Sequence, residues 1–296
     1  MHTPVLLDEI ANMVPKNGVH VDATLGFGGH LKKVCEVGSY RKLIAIDRDP
    51  GAITLAKQNL QEVSKAYKAD IVYVCDQFRN LSKILKDAGI QKVNSVLFDL
   101  GVSSMQLDSS ISSVPRGFSF MRDEPLNMSM GNSNTTAREI VNEWGEQTIA
   151  DALFHLADET NSRRIARAIC EYRETQPIET TFELVEIIKN VSPKYGRTNP
   201  ATKTFQALRM LVNEELQNIE EGLNQAWAHL DQGGRILVIT FHSIEDRIVK
   251  QKFKQFIDMG NAILINKKPI IPSQSEVSSN KRSRSAKLRV IEKTND

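Results

Sequence analysis

The feature that most constrains this chain is a rhythm in its first hundred residues. Short β-branched runs alternate with helical stretches, and a glycine-rich turn follows the first run. Val19–Val21, Leu43–Ile46, Ile71–Val74 and Val96–Leu100 read as four strands. Strands spaced by helices predict a parallel sheet covered on both faces. Gly26-Phe27-Gly28-Gly29 follows the first strand, and Asp47 ends the second. Asp49, with Pro50 behind it, is a good helix start.

The rhythm then breaks. From about Asp108 to Pro200 no strand pattern is present, and helical patterns occupy Ala137–Leu156, Asn161–Glu174 and Thr181–Asn190, with loop-like Ser109–Val114 and Met130–Thr136. The sheet pattern resumes afterwards. Phe205, Leu208, Val212, Leu216, Ile219, Leu223, Trp227 and Leu230 hold a single helical stripe, which fits core packing. Gly233-Gly234 is expected to end that helix, Arg235–Phe241 to form a central strand, and Ser243 with Asp246 to cap the next helix. Lys267–Lys281 reads as a surface loop before a last strand at Ala286–Ile291. The expected organisation is an α/β domain in two parts, 1–107 and 201–296, around a helical substrate-recognition domain inserted at 108–200.

Bulk properties narrow the class without deciding it. Hydrophobic residues make up 41% of 296, enough for a full core. Lys plus Arg is 38 against 36 for Asp plus Glu, a net charge of +2, so a nucleic-acid surface must come from local clustering. Cys35, Cys75 and Cys170 form no CxxC pair and read as free thiols of a reducing compartment, not as zinc ligands or disulfides. No apolar run approaches membrane-spanning length, and Met1-His2-Thr3-Pro4 begins no signal or transit peptide. A cytoplasmic chain with no membrane partner is expected.

Ala23-Thr24-Leu25-Gly26-Phe27-Gly28-Gly29-His30 joins a strand to a helix. Glycines there allow positive φ and close backbone approach to a ligand. Asp47 ends the next strand, where an acidic side chain grips ribose hydroxyls in such folds. Leu31 stands where the dinucleotide pattern GxGxxG needs its third glycine. That favours a cofactor without a pyrophosphate, S-adenosyl-L-methionine over a nicotinamide dinucleotide. The predicted fold is therefore a Rossmann-like, class I S-adenosylmethionine-dependent methyltransferase sheet with an inserted α-helical domain. Phe78, just after the third strand, either lies against adenine or closes the core, and the sequence leaves both open. Asp99 ends the fourth strand, so it points into the crevice where open α/β sheets bind ligands. A carboxylate there is costly to bury without a partner or a task.

Seven ordered segments make the reading specific: Gly26–His30, Asp47–Pro50, Asp99–Asp108, Arg116–Phe120, Pro200–Arg209, Phe241–Arg247 and Ser283–Arg289. Together they resemble the bacterial 16S ribosomal RNA cytosine-N4 methyltransferase family, with a mitochondrial relative acting on small-subunit rRNA. The resemblance runs from His2 to about Glu292. It implies methylation of a decoding-centre cytidine in 16S rRNA within the small ribosomal subunit. Carried over, its cofactor contacts are Gly28, Gly29, His30, Asp47, Phe78, Asp99 and Gln106. The chain departs from the family pattern at Asn127 and Ser129 (usually Asp and Arg), at Asn199 (usually His) and at Asp158-Glu159-Thr160, and the loop Ser109–Val114 looks lengthened. These changes fall in or beside the helical insertion, so they bear on RNA grip and leave the cofactor motifs intact.

Two basic clusters suit phosphate contacts around a splayed base: Arg163, Arg164, Arg167 and Arg173 in the insertion, and Lys281, Arg282, Arg284, Lys287 and Arg289 near the C-terminus. Transfer to an exocyclic N4 needs positioning, because that nitrogen's lone pair is conjugated with the ring; in-line approach at about 3–3.5 Å supplies much of the catalysis. No metal is called for. Asp99 is the leading catalytic candidate, with Asp246 and His242 behind it. Two rivals stand beside this reading. One is a DNA amino-methyltransferase, which Leu-Gly-Val after Asp99 disfavours; the other is a non-catalytic ribosome-assembly factor. A monomer or homodimer fits equally well.

Overall fold

A strand whose successive residues are all apolar has no polar face and must be covered on both sides. Val96-Leu97-Phe98 and Ile236-Leu237-Val238-Ile239 are such runs, each residue at most 1% exposed. They lie at the centre of a seven-stranded sheet in the computed structural model, which describes residues 4–101, 115–131, 133–192 and 199–294.

The chain divides into two compact units, 1–101 with 216–296, and 102–215. The first contains α1 (Leu7–Met13), β1 (Asn17–Asp22), α2 (Gly29–Val37), β2 (Ser39–Asp47), α3 (Pro50–Ala66), β3 (Ile71–Cys75), α4 (Leu81–Asp87) and β4 (Val93–Asp99). The second carries α5 (Ala137–Glu143), α6 (Glu146–Ala157), α7 (Ser162–Arg173), α8 (Thr181–Val191) and α9 (Thr202–Val212). The first unit resumes along α10 (Glu215–His229), then β5 (Leu230–Thr240), α11 (Ser243–Asp258), β6 (Ala262–Leu264), α12 (Gln274–Ser279) and β7 (Lys287–Lys293).

Strand order is β3-β2-β1-β4-β5-β7-β6. The first five are parallel, and β7 runs antiparallel to both β5 and β6. The order reverses between β1 and β4, so the ligand crevice of an open sheet falls outside the carboxyl ends of those two strands. Side-chain alternation covers both faces. Val21, Val96, Phe98, Ile236 and Val238 pack with Leu85, Leu223 and Phe253 on one face. Leu97, Leu237 and Ile239 pack with Ile10 and Val290 on the other, where Leu43 and Ala45 meet Val34 and Ala56.

Three sequence expectations are corrected. The stripe from Phe205 to Leu230 is two helices: Glu214 adopts a left-handed φ of 48°, and the apolar residues part company there. Phe205, Leu208 and Val212 join the core of the helical unit, whereas Ile219, Leu223 and Trp227 join the sheet core. The units therefore divide at 215/216 rather than at 200/201. The pattern expected to form one helix over Ala137–Leu156 is broken at Trp144-Gly145, where Trp144 turns extended. The cap of α11 is His242, not Ser243, and its reciprocal partner is Glu245. The sequence reading also passed over α1, α4, β6 and α12, all too short to show a period.

The helical unit owes its order to local signals as well as packing. Thr136 with Glu139, and Thr180 with Glu183, form capping boxes at α5 and α8. Arg209 grips Glu215 through two 2.8 Å hydrogen bonds, and Asn213 ties the Met128 carbonyl and the Met130 amide. The family-like segment Pro200–Arg209 thus serves this unit's own packing. The departures are also absorbed locally: Asn127 accepts from the Ser129 amide, and Asn199 from the Ala201 amide. The free thiols are Cys35, Cys75 and Cys170.

One buried histidine gives the sheet a pH signature. His20 is fully buried, with Nδ1 2.8 Å from the Ser95 hydroxyl of the neighbouring strand. Burial, helped by nearby His30, pushes its pKa down to about 3. The unfolded side chain titrates near 6.5, so below that pH the unfolded chain binds a proton the fold refuses, and stability falls. Asp22 and Asp99, both raised to about 7, act with the opposite sign between the ordinary carboxylate range and pH 7. Comparison with His20→Gln isolates the histidine. Urea titrations between about pH 7.5 and about pH 5 should show the wild type losing up to about 1.4 kcal/mol more per pH unit below 6.5 than the variant. Parallel pH dependence in the two proteins would exclude His20 as the group.

Candidate cofactor site and catalytic centre

Three carboxylates end adjacent strands: Asp22 on β1, Asp47 on β2 and Asp99 on β4. The turn after β1 folds around them. Asp22 accepts from the Thr24 amide at 3.2 Å, and the Thr24 hydroxyl in turn accepts from the Asp99 amide at 2.6 Å. Asp47 takes the Gly26 amide on Oδ2 at 2.8 Å and the Asp49 amide on Oδ1 at 2.9 Å. Asp49 caps α3 through the Gly51 amide. Each oxygen of Asp47 keeps a further lone pair, which is what a pair of ribose hydroxyls requires. Burial raises the Asp47 pKa against these amide bonds.

The glycines of the turn do different work. Gly26 has φ of +51° and open space where a side chain would stand. At Gly28, φ is +78° and a Cβ would come within 2.8 Å of Leu60; at Gly29 it would lie 2.3 Å from Pro4. Only Gly26 therefore leaves a face open, and the other two are required by the protein's own packing. Gly28 is the N-cap of α2 and offers no side-chain cap. The first-turn amides at Gly29 and His30 have no intrahelical acceptor, and such amides are donors suited to a carboxylate.

Around Asp99 the groups are tightly set. His30 is 6% exposed; its Nε2 lies 2.8 Å from the Val5 carbonyl and its Nδ1 3.6 Å from Asp99 Oδ2. Asp99 Oδ1 is buried with no hydrogen-bond partner among the described residues. Burial, reinforced by Glu245, raises the Asp99 pKa to about 7. Glu245 is 1% exposed and accepts from the Phe241 amide at 2.8 Å and the His242 amide at 3.3 Å. The His242 ring returns the bond by accepting the Glu245 amide at Nδ1. Asp246 is held by Arg289 at 2.7 and 3.1 Å and by Lys287 at 3.3 Å, and those cations draw its pKa down against the cost of burial. Of the three catalytic candidates, Asp246 sits in an ion-pair triad, and His242 caps a helix with Nδ1 while its Nε2 lies 3.1 Å from Glu245 Oε1. Asp99 Oδ1 has no hydrogen-bond partner among the described residues.

Of the two roles left open for Phe78, the structure shows core packing. One ring edge packs on Phe98, centroids 5.3 Å apart at 84°, while the residue stays partly exposed beyond β3. Gly222 makes room for it: a Cβ there would fall 2.5 Å from the Phe78 ring. Gln106 lies outside the described residues, as does Ser109–Val114. Sequence reasoning missed Asp22 and Glu245. Asp22 was findable, as the acid closing the first strand four residues before Gly26; Glu245 was hidden inside a helix-cap pattern.

The donor set fits one kind of cofactor. First-turn amides suit a carboxylate, Asp47 suits a ribose, and the orphaned oxygen of Asp99 in an acidic pocket suits a positive charge; a sulfonium cofactor carries all three. A Rossmann-like sheet of this order with such a crevice defines the S-adenosylmethionine-dependent methyltransferase class. The family model of the MraW methylase family matches residues 1–294, and the chain belongs to that family. Relatives named ribosomal RNA small subunit methyltransferase H are similar along their whole length. The protein of Finegoldia magna is 40% identical, covering 99% of this chain and 98% of its own. That of Clostridium botulinum strain Kyoto is 42% identical with the same coverage. That of Wolbachia sp. subsp. Drosophila simulans is 43% identical, covering 99% of both.

Two outcomes follow from the geometry. Asp47→Ala should weaken S-adenosylhomocysteine binding by about 10²-fold or more, the loss of two charge-assisted bonds worth about 1.5–3 kcal/mol each, while unfolding stays cooperative. Calorimetric titration measures it, and unchanged affinity excludes the assignment. Asp246→Asn should lower unfolding free energy by about 1–3 kcal/mol, because it leaves Arg289 half-buried against a neutral partner. Single-turnover methyl transfer by the folded variant should stay within a few-fold of wild type; a collapse of that rate would put Asp246 in the chemistry.

Proposed function

We propose that this chain transfers a methyl group from S-adenosyl-L-methionine to the exocyclic N4 of a cytidine in the decoding region of 16S rRNA, acting within the small ribosomal subunit. The observation that carries the mechanism is Asp99. Its carboxylate ends a central strand whose rigid backbone fixes it, and its Oδ1 is buried without a partner among the described residues. When bound, the cofactor would supply an electrophilic sulfonium methyl. Asp99 would oppose the positive charge developing on the accepting nitrogen and then take its proton. Its pKa of about 7 is matched to accepting a proton at neutral pH. Asp47 holds the ribose, the first turn of α2 holds the methionyl carboxylate, and Phe78 lies against adenine.

RNA contact is assigned to exposed cations. Lys281, Arg282 and Arg284 project from the short turn Lys281–Ser285, and Arg163 and Arg164 from α7. Lys287 and Arg289 face Asp246, Arg173 donates to the Val141 carbonyl, and Arg167 pairs with Glu146 at 3.8 Å, so these four have prior duties. A cytoplasmic setting and a monomer or homodimer belong to the same reading; among the described residues no helix is long and apolar enough to cross a membrane.

The test is transfer of labelled methyl from the cofactor to isolated small subunits, with the modified nucleoside identified after digestion. N4-methylcytidine is expected. Asp99→Asn, which keeps size and removes charge, should slow single-turnover transfer at saturating cofactor by about 10²-fold or more. A surviving rate with only a raised cofactor dissociation constant would make Asp99 a binding residue.

A further inference from the structure

The geometry at the crevice fixes one ring proton of His30. The Val5 carbonyl can only accept, so the Nε2 it meets at 2.8 Å must carry the ring proton. Burial holds the ring neutral by lowering its pKa, opposed by Asp22 and Glu276. A neutral ring protonated at Nε2 has a bare lone pair at Nδ1, and that atom lies 3.6 Å from Asp99 Oδ2. Two acceptors facing each other in a buried site repel when Asp99 is ionised and attract once Asp99 carries a proton.

We propose that the His30 side chain is a positioning residue for Asp99: its Nδ1 is the acceptor that holds the proton Asp99 takes from the reacting amine. The inference rests on the reading of Asp99 as proton acceptor and gives it a partner. In the balanced step the N4 lone pair forms the new N–CH3 bond, the S–CH3 pair returns to sulfur, and one N4 proton moves to the Asp99 carboxylate. With the proton on Oδ2, a shift of a few tenths of an ångström by the Asp99 carboxyl brings the 3.6 Å separation from His30 Nδ1 to hydrogen-bonding distance. The His30 backbone amide stays with the first turn of α2, so the side chain and the main chain serve different partners.

Other charges bear on the pair. Asp99 faces Glu245 from α11 and Asp22 from the end of β1, both favouring its protonated form. His30 faces Asp22, Glu276 of α12 and His20 of β1. These remain in place when His30 is replaced, so a shift on replacement belongs to the imidazole.

Two substitutions separate the ring's two nitrogens. His30→Gln places an amide near the Nε2 position, keeping the bond to Val5 and removing the acceptor toward Asp99. His30→Asn places an amide near the Nδ1 position and restores an oxygen acceptor. Single-turnover rates at saturating cofactor are measured against pH for wild type, both variants and Asp99→Asn. The acid limb should move down by about one pH unit in His30→Gln and stay near wild type in His30→Asn. Unshifted limbs in both variants, or equal loss of rate in both, overturn the proposal. A wild-type profile in Asp99→Asn would instead remove the reading beneath it. Infrared titration of the Asp99 carboxyl band, identified by its loss in Asp99→Asn, gives the same answer without turnover: a midpoint unmoved by His30→Gln also overturns the inference.

Discussion

A cluster of carboxyl groups at the ends of β1, β2 and β4 is the constraint around which the rest of the crevice is arranged. Asp22, Asp47 and Asp99 end three neighbouring strands, and Glu245 adds a fourth carboxyl beside Asp99. Like charges in low dielectric raise one another's pKa, so each must find donors, hold a proton or meet a cation. Asp47 takes two turn amides, Asp22 takes one and has its pKa raised to about 7, and Asp99 keeps one oxygen without a hydrogen-bond partner among the described residues.

That arrangement also explains the shape of the turn. Asp47 reaches across from β2 to fix the Gly26 amide, and Thr24 joins β1 to β4 through the Asp99 amide. The turn is therefore tied to all three strand ends before any ligand arrives. Preorganisation of this sort matters for transfer to a conjugated nitrogen, because the enzyme's contribution is largely position and charge. Arg289 and Lys287 are taken up by Asp246, which ties β7 to the start of α11.

The helical unit shows how a family-like motif can carry structure. Phe205 and Leu208 of the segment Pro200–Arg209 fill that unit's core, and Arg209 makes a two-bond clamp on Glu215. Capping boxes at Thr136 and Thr180 define where α5 and α8 begin. Arg163 and Arg164 stay exposed on its surface.

The sequence by itself determined the parallel sheet, its first four strands, the glycine turn with Asp47 opposite, and the order of motifs that marks the family. Those signals are local or nearly so: β-branched runs, a turn that only glycine can make, a cap before a proline. It did not determine that the stripe from Phe205 to Leu230 is two helices serving two cores, because apolar spacing is blind to which core a residue enters. Nor did it show what surrounds Asp99 and Asp246. Tertiary structure decided that by bringing Arg289 and Lys287 from a distant strand onto Asp246 and by seating His30 beside Asp99. A side chain's chemistry is set by the partners that packing delivers to it, and partners more than forty residues away leave no trace in local spacing.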